Sequence, residues 1–138
     1  MAKEKSCGII LFRKGEVINF LLLHYKSGHW DFSKGHIEPG EDEKQTAARE
    51  LAEETDINDI KFIEGFREPV IYFFRREKET IHKEVIFYLA ETTSDKVKIS
   101  YEHTGYKWLD YESAIKQLTF KNSQEILKKA MLLLSSTS

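Results

Sequence analysis

Residues 35–57 read GHIEPGEDEKQTAARELAEETDI, and how this stretch folds decides how the rest of the chain is read. A turn at Pro39-Gly40 is followed by acidic residues that suit the positive end of a helix starting near Asp42. In that helix Glu50, Glu53 and Glu54 fall at i, i+3 and i+4, so three carboxylates share one face. Like charges at this spacing repel, and a helix built only for stability avoids stacking them. A hard divalent cation relieves the conflict, because Mg²⁺ takes oxygen ligands from a few carboxylates together with substrate phosphates.

The spacing extends beyond the three glutamates. Gly35, five residues, Glu41, seven residues, then Arg49-Glu50-Leu51-x-Glu53-Glu54-x-x-Ile57 resembles the signature box of the Nudix hydrolases. The six positions other than the hydrophobic Leu51 and Ile57 coincide by chance in roughly one window in ten million, at average residue usage. One position departs: Asp56 stands where the box usually has glycine. That site, just past the helix, calls for a left-handed residue, which Asp tolerates better than most non-glycine residues.

With 138 residues, 41% of them hydrophobic and 12% aromatic, the chain is expected to be a single folded domain spanning 1–138. The net charge of −2 supplies no global field for a polyanion, so no long nucleic acid is expected as a partner. The lone Cys7 suits a reducing cytosol and a buried strand position. Its apolar run, CGIILF, is too short for a signal-peptide core or a membrane span. A cytoplasmic protein with no membrane partner is the expectation.

Apolar, β-prone runs at Cys7–Phe12 and Val17–His24 flank Arg13-Lys14-Gly15-Glu16 as a hairpin. A loop is expected from Tyr25 to Lys34. Strands follow at Ile60–Arg67, Val70–Arg76 and Ile81–Glu91, with a short one at Tyr106–Leu109. Helices are expected over Tyr111–Leu118 and Ser123–Leu134, and a frayed Ser-Ser-Thr-Ser tail. Strands interleaved with helices make an α/β protein. The Nudix resemblance implies an α/β/α sandwich with a mixed sheet, the box forming a loop-helix-loop.

Outside the box the resemblance narrows. HWDFSKGHIEPGE, IEGFRE and EHTGYKWL are similar to segments of the asymmetrical diadenosine tetraphosphate hydrolases, and the matches run from CGIILF to FKNSQEIL. This implies hydrolysis of diadenosine tetraphosphate to ATP and AMP with Mg²⁺, Mn²⁺ being a possible substitute. Glu50, Glu53 and Glu54 are expected to hold the ion, with the Gly35 backbone close to it. Glu102 is expected to assist as metal ligand or general base, and Arg49 to orient Glu53, four residues on. Glu41 is expected to support the loop or an outer-shell ion rather than to perform chemistry. His29, Lys34 and His36 cluster before the box as phosphate contacts. Tyr72 and Phe120 match the rings that stack an adenine. Arg67, Arg75, Arg76 and Lys83 are weaker candidates, since charges on strand edges often serve only solubility. Ser33 replaces a usual proline, a change expected to alter loop stiffness and to remove no functional group.

Two other readings fit the residues. One is a Nudix enzyme for RNA 5′-ends, capped RNA or oxidised nucleoside triphosphates. The other is a non-catalytic sensor of dinucleoside polyphosphates, which the clustered carboxylates disfavour.

Overall fold

The computed structural model describes residues 2–136. Two long strands, β1 (Ala2–Lys14) and β6 (Glu79–Thr92), run parallel at the centre of the sheet, in register from Ala2↔Ile81 to Phe12↔Glu91. Their continuous apolar runs, Cys7–Phe12 and Val85–Ala90, fit a sheet covered on both faces. Beside them lie β2 (Ile18–Tyr25), β3 (Trp30–Asp31), β4 (Ser33–His36), β5 (Ile60–Arg76) and β7 (His103–Asp110). The principal order is β3-β2-β1-β6-β5, while β4 pairs with β1 and β7 with β2. Every pairing other than β1–β6 is antiparallel, so the sheet is mixed.

Alternation along the central strands sends side chains into two cores. Ile10 and Phe12 of β1, with Val85, Phe87 and Leu89 of β6, join Ala114, Leu118, Ile126, Leu127 and Ala130. This layer carries α2 (Tyr111–Gln117) and α3 (Lys121–Ser136). Cys7, Ile9 and Leu11, with Ile86 and Ala90, join Ala47 and Leu51 of α1 (Glu43–Thr55) on the other face. Each fully buried Leu, Ile or Phe contributes roughly 1.5–3 kcal/mol relative to exposure. The expected α/β/α sandwich is the observed architecture.

α1 begins where the turn signals place it. Asp42 caps it by accepting the Gln45 amide at 2.8 Å, and the Gln45 side chain accepts the Asp42 amide at 2.9 Å. It ends at Asp56, which adopts φ 62° and returns its N–H to the Ala52 carbonyl at 2.9 Å. Aspartate thus performs the left-handed turn expected of glycine.

Several boundaries differ from expectation. The Tyr25–Lys34 loop contains β3 and β4, too short to show a strand period. The two strands expected over 60–76 are one strand, with an irregularity between Phe62 and Arg67 at Gly65, φ 89°. Pro69 is tolerated because β5 is an edge strand. β7 starts at His103 and α3 at Lys121, both earlier than periodicity alone marks. Of the tail expected to fray, Ser135 and Ser136 belong to α3, and Thr137 and Ser138 lie outside the described residues. Among the described residues no helix is long and apolar enough to cross a membrane.

Candidate active site

The three glutamates of α1 do not share one environment. Glu53 is exposed, Glu50 half-buried, and Glu54 buried at 3% exposure. Pairing of β4 with β1 sets Gly35 opposite Cys7 and brings its backbone against the helix. The Glu50 carboxyl occupies the space where a side chain at residue 35 would begin. This is a closer demand for glycine than the backbone–metal approach expected from sequence.

Arg49 organises the loop behind this face. Its Nε donates to Glu41 Oε2 at 2.6 Å, and Nη2 donates to Glu41 Oε1 at 3.1 Å and to the His36 carbonyl at 3.0 Å. Its Nη1 donates to Glu50 at 2.9 Å and Glu53 at 3.1 Å. The expected Arg49–Glu53 contact is therefore one of several. Glu41 also accepts the Glu38 amide at 3.0 Å and the Thr46 hydroxyl at 2.8 Å, tying the turn to the helix as expected. The Arg49 guanidinium holds Glu41 down at about 2.

Glu54 is strongly perturbed. Burial pushes its carboxyl up to about 8, Glu50 and Glu102 adding to the shift while a hydrogen bond from Ser33 opposes it. The Ser33 hydroxyl donates to Oε1 at 2.6 Å. Ser33 thus adds a functional group at the position where only loop stiffness was expected to change. His103 Nε2 lies 3.8 Å from Oε2 and has no hydrogen-bond partner. Burial lowers His103 to about 4, so at neutral pH imidazole and carboxyl face one another uncharged and form no ion pair. Burial also raises Glu50 from its ordinary value, against the pull of Arg49.

Glu102 reaches this group through a backbone docking. The amides of Lys98 and Ser100 donate to the Thr55 and Glu54 carbonyls at 3.0 and 3.2 Å, satisfying the open end of α1. The loop is thereby laid along the helix, and Glu102 lines a cleft of about 620 Å³ with Gly35, Glu50, Glu54, His29, Lys34, His36 and Lys83. Glu53 borders an adjoining lobe with Glu50, Glu54 and Glu102. Arg49 lines neither and acts from behind.

The cationic side of the cleft is selective. Lys83 is half-buried and lines it, whereas Arg67 pairs with Glu43 at 2.8 Å and Arg76 with Glu4 at 2.7 Å. Arg75 is spent on Thr80 and the Lys78 carbonyl. Lys34 is fixed by the fully buried Asp31 at 2.9 Å, which also accepts from Ser123 at 2.9 Å. His29 stacks on Tyr25 at 4.5 Å, and burial lowers its basicity. Tyr72 and Phe120 line one slot of about 270 Å³ with Phe73, Phe74, Val85, Lys34 and Lys83. The two lysines border slot and cleft alike.

Asp31, Ser33 and His103 were not distinguishable from sequence as supports of the site. Each sits inside a quoted segment, yet none shows a period or spacing of its own. Only the polar side chains in otherwise apolar company, as in WDFS, hinted at internal partners.

The residues fit a hard divalent cation. The donors are carboxylate oxygens, the bare Gly35 lets the Glu50 carboxyl lie against the strand, and a buried acid lacks a compensating cation. Among the described residues no three acids converge on one point, and Glu50 and Glu53 both accept from Arg49. Glu50, Glu53, Glu54 and Glu102 would hold the ion, the first two sharing their oxygens with Arg49.

Residues 3–130 match the NUDIX domain model. The chain is 38% identical to the asymmetrical bis(5′-nucleosyl)-tetraphosphatase of Mus musculus, over 96% of this chain and 97% of that one. It is 37% identical to the Caenorhabditis elegans protein of the same name, over 91% and 92%. A crystal structure of a C. elegans Ap4A hydrolase binary complex superposes with a TM-score of 0.85 at 34% identity, covering 96% of this chain and 98% of that one. With the box residues gathered on β4 and α1, Glu102 on the loop before β7, and relatives matched over nearly their whole length, the chain belongs to the NUDIX domain family.

Proposed function

We propose that the protein hydrolyses dinucleoside polyphosphates, diadenosine tetraphosphate foremost, to ATP and AMP by attack of water on phosphorus. The observation that carries this reading is the adjacency of an aromatic slot and a carboxylate cleft bordered by the same two lysines, Lys34 and Lys83. A nucleobase stacked between Tyr72 and Phe120 would deliver its phosphates past those lysines toward Glu50, Glu54 and Glu102. The similarity to tetraphosphatases over nearly the whole chain supports the same substrate class.

Mg²⁺, or Mn²⁺ in its place, bound by Glu50, Glu53, Glu54 and Glu102, would polarise a phosphoryl oxygen and acidify water. The chain's own residues do the rest. Lys34, Lys83, His29 and His36 meet the phosphate charge, and Glu102 takes a proton from the attacking water. Arg49 keeps Glu50 and Glu53 on the cleft side of the helix. Tyr72 and Phe120 set the register of the phosphate chain, so that cleavage is asymmetric. A sensor would gain nothing from burying Glu54 without a countercharge. The single buried Cys7 suits work in a reducing cytosol.

Incubation with Mg²⁺ and a panel of dinucleoside polyphosphates, RNA 5′-triphosphate ends and oxidised nucleoside triphosphates tests the reading. Diadenosine tetraphosphate should show the highest kcat/KM. Preference for either other class by tenfold or more would overturn it.

A further inference from the structure

Ser33 and Glu54 lie 21 residues apart and are each 3% exposed, yet the serine hydroxyl reaches Glu54 Oε1 at 2.6 Å. The serine is itself rigidly placed. β4 is registered on β1 with Ser33 opposite Ile9 and Lys34 opposite Gly8. The two strands approach so closely at Gly8 that a Cβ there would strike the Ser33 carbonyl and the Lys34 side chain. The last torsion of a glutamate is broad and has no strong preference of its own. A buried hydroxyl donor on one oxygen removes that freedom, and a ligand whose orientation is set in advance binds without the ordering cost.

We propose that Ser33 is a positioning residue: its hydroxyl sets the rotation of the Glu54 carboxylate and so raises the affinity of the site for a divalent cation. The inference rests on the reading of Glu54 as a cation ligand. A serine that merely satisfied a buried acid would affect stability and leave cation binding alone.

The two roles separate in Mn²⁺ binding to the substrate-free protein, followed by the electron paramagnetic resonance of free Mn²⁺, with thermal unfolding to confirm folding. Ser33→Ala should weaken Mn²⁺ binding about tenfold, the lower end of what outer-shell partners of metal ligands contribute. Glu54→Gln should weaken it at least as much, and adding Ser33→Ala to Glu54→Gln should change it no further. Unchanged binding in Ser33→Ala beside weakened binding in Glu54→Gln overturns the positioning role and leaves the site reading intact. An equal loss from Ser33→Ala in both backgrounds overturns it as well. Unchanged binding in Glu54→Gln overturns the assignment of Glu54 as ligand, and this proposal with it.

Discussion

The Glu50 carboxyl lies against the bare Cα of Gly35, in the space a side chain at that position would fill. Helix and strand meet here with nothing between them, and the acid is held from the other side by Arg49. Replacing Gly35 by Ala should displace Glu50. Turnover is expected to fall on the order of a hundredfold, the scale of a misplacement near 1 Å. Overpacking should cost about 1–3 kcal/mol in stability. Steady-state kinetics and urea unfolding of Gly35→Ala check both; full turnover would show that Glu50 need not stay where it is.

Arg49 is expected to resist conservative exchange. A guanidinium serves Glu41, Glu50, Glu53 and the His36 carbonyl at once, and an ammonium has neither the reach nor the fork. Arg49→Lys should lose roughly 1–3 kcal/mol, the scale of hydrogen bonds to charged groups. Turnover should fall at least about tenfold, as for outer-shell partners of metal ligands. Wild-type kinetics and unfolding in Arg49→Lys would reduce the network to a surface contact.

The stability of the cation-free protein should depend on pH with a definite sign. Glu54 titrates near 8 in the folded chain against an ordinary 4.5, so between those values the folded state keeps a proton that the unfolded state has released. Stability then falls as pH rises. His103 titrates near 4 against 6.5, so between those values only the unfolded state is protonated and stability rises with pH. The two slopes oppose between 4.5 and 6.5, and Glu54 acts alone from 6.5 to 8. Urea unfolding in EDTA should show stability falling across that upper window, by at most about 1.4 kcal/mol per pH unit. Glu54→Gln should flatten the fall. The same slope in the variant would assign the proton to another group.

How much of this was legible beforehand follows from what leaves a pattern. α1 could be read to its caps, because Pro39-Gly40, Asp42 and the i, i+3, i+4 acids each act within a few residues of themselves. The central strands were visible as apolar runs. β3 and β4 were not, since two and four residues carry no period and β4 finds its partner in β1, beyond the intervening hairpin. The carboxylates were found by spacing, whereas Ser33, Asp31 and His103 support the site only through contacts made on folding. The slot residues Tyr72 and Phe120 came from resemblance alone, and the structure brings them to one cavity.

That cavity leads to a binding prediction. Each stacked ring is worth roughly 1–3 kcal/mol by analogy with aromatic platforms for single-stranded bases. Tyr72→Ala or Phe120→Ala should raise KM for diadenosine tetraphosphate by about one to two decades, with a smaller loss in kcat. Melting temperatures must accompany the kinetics, because Tyr72 also packs against the core. Folded variants with unchanged KM would place the base elsewhere.

Hydrolysis of diadenosine tetraphosphate in ¹⁸O-labelled water, with the products separated and weighed by mass spectrometry, tests the central claim most directly. A phosphate chain held in one register, from the aromatic slot to the carboxylates, should give ATP and AMP, with the label in only one of the two. Two equivalents of ADP as the main product would contradict the account.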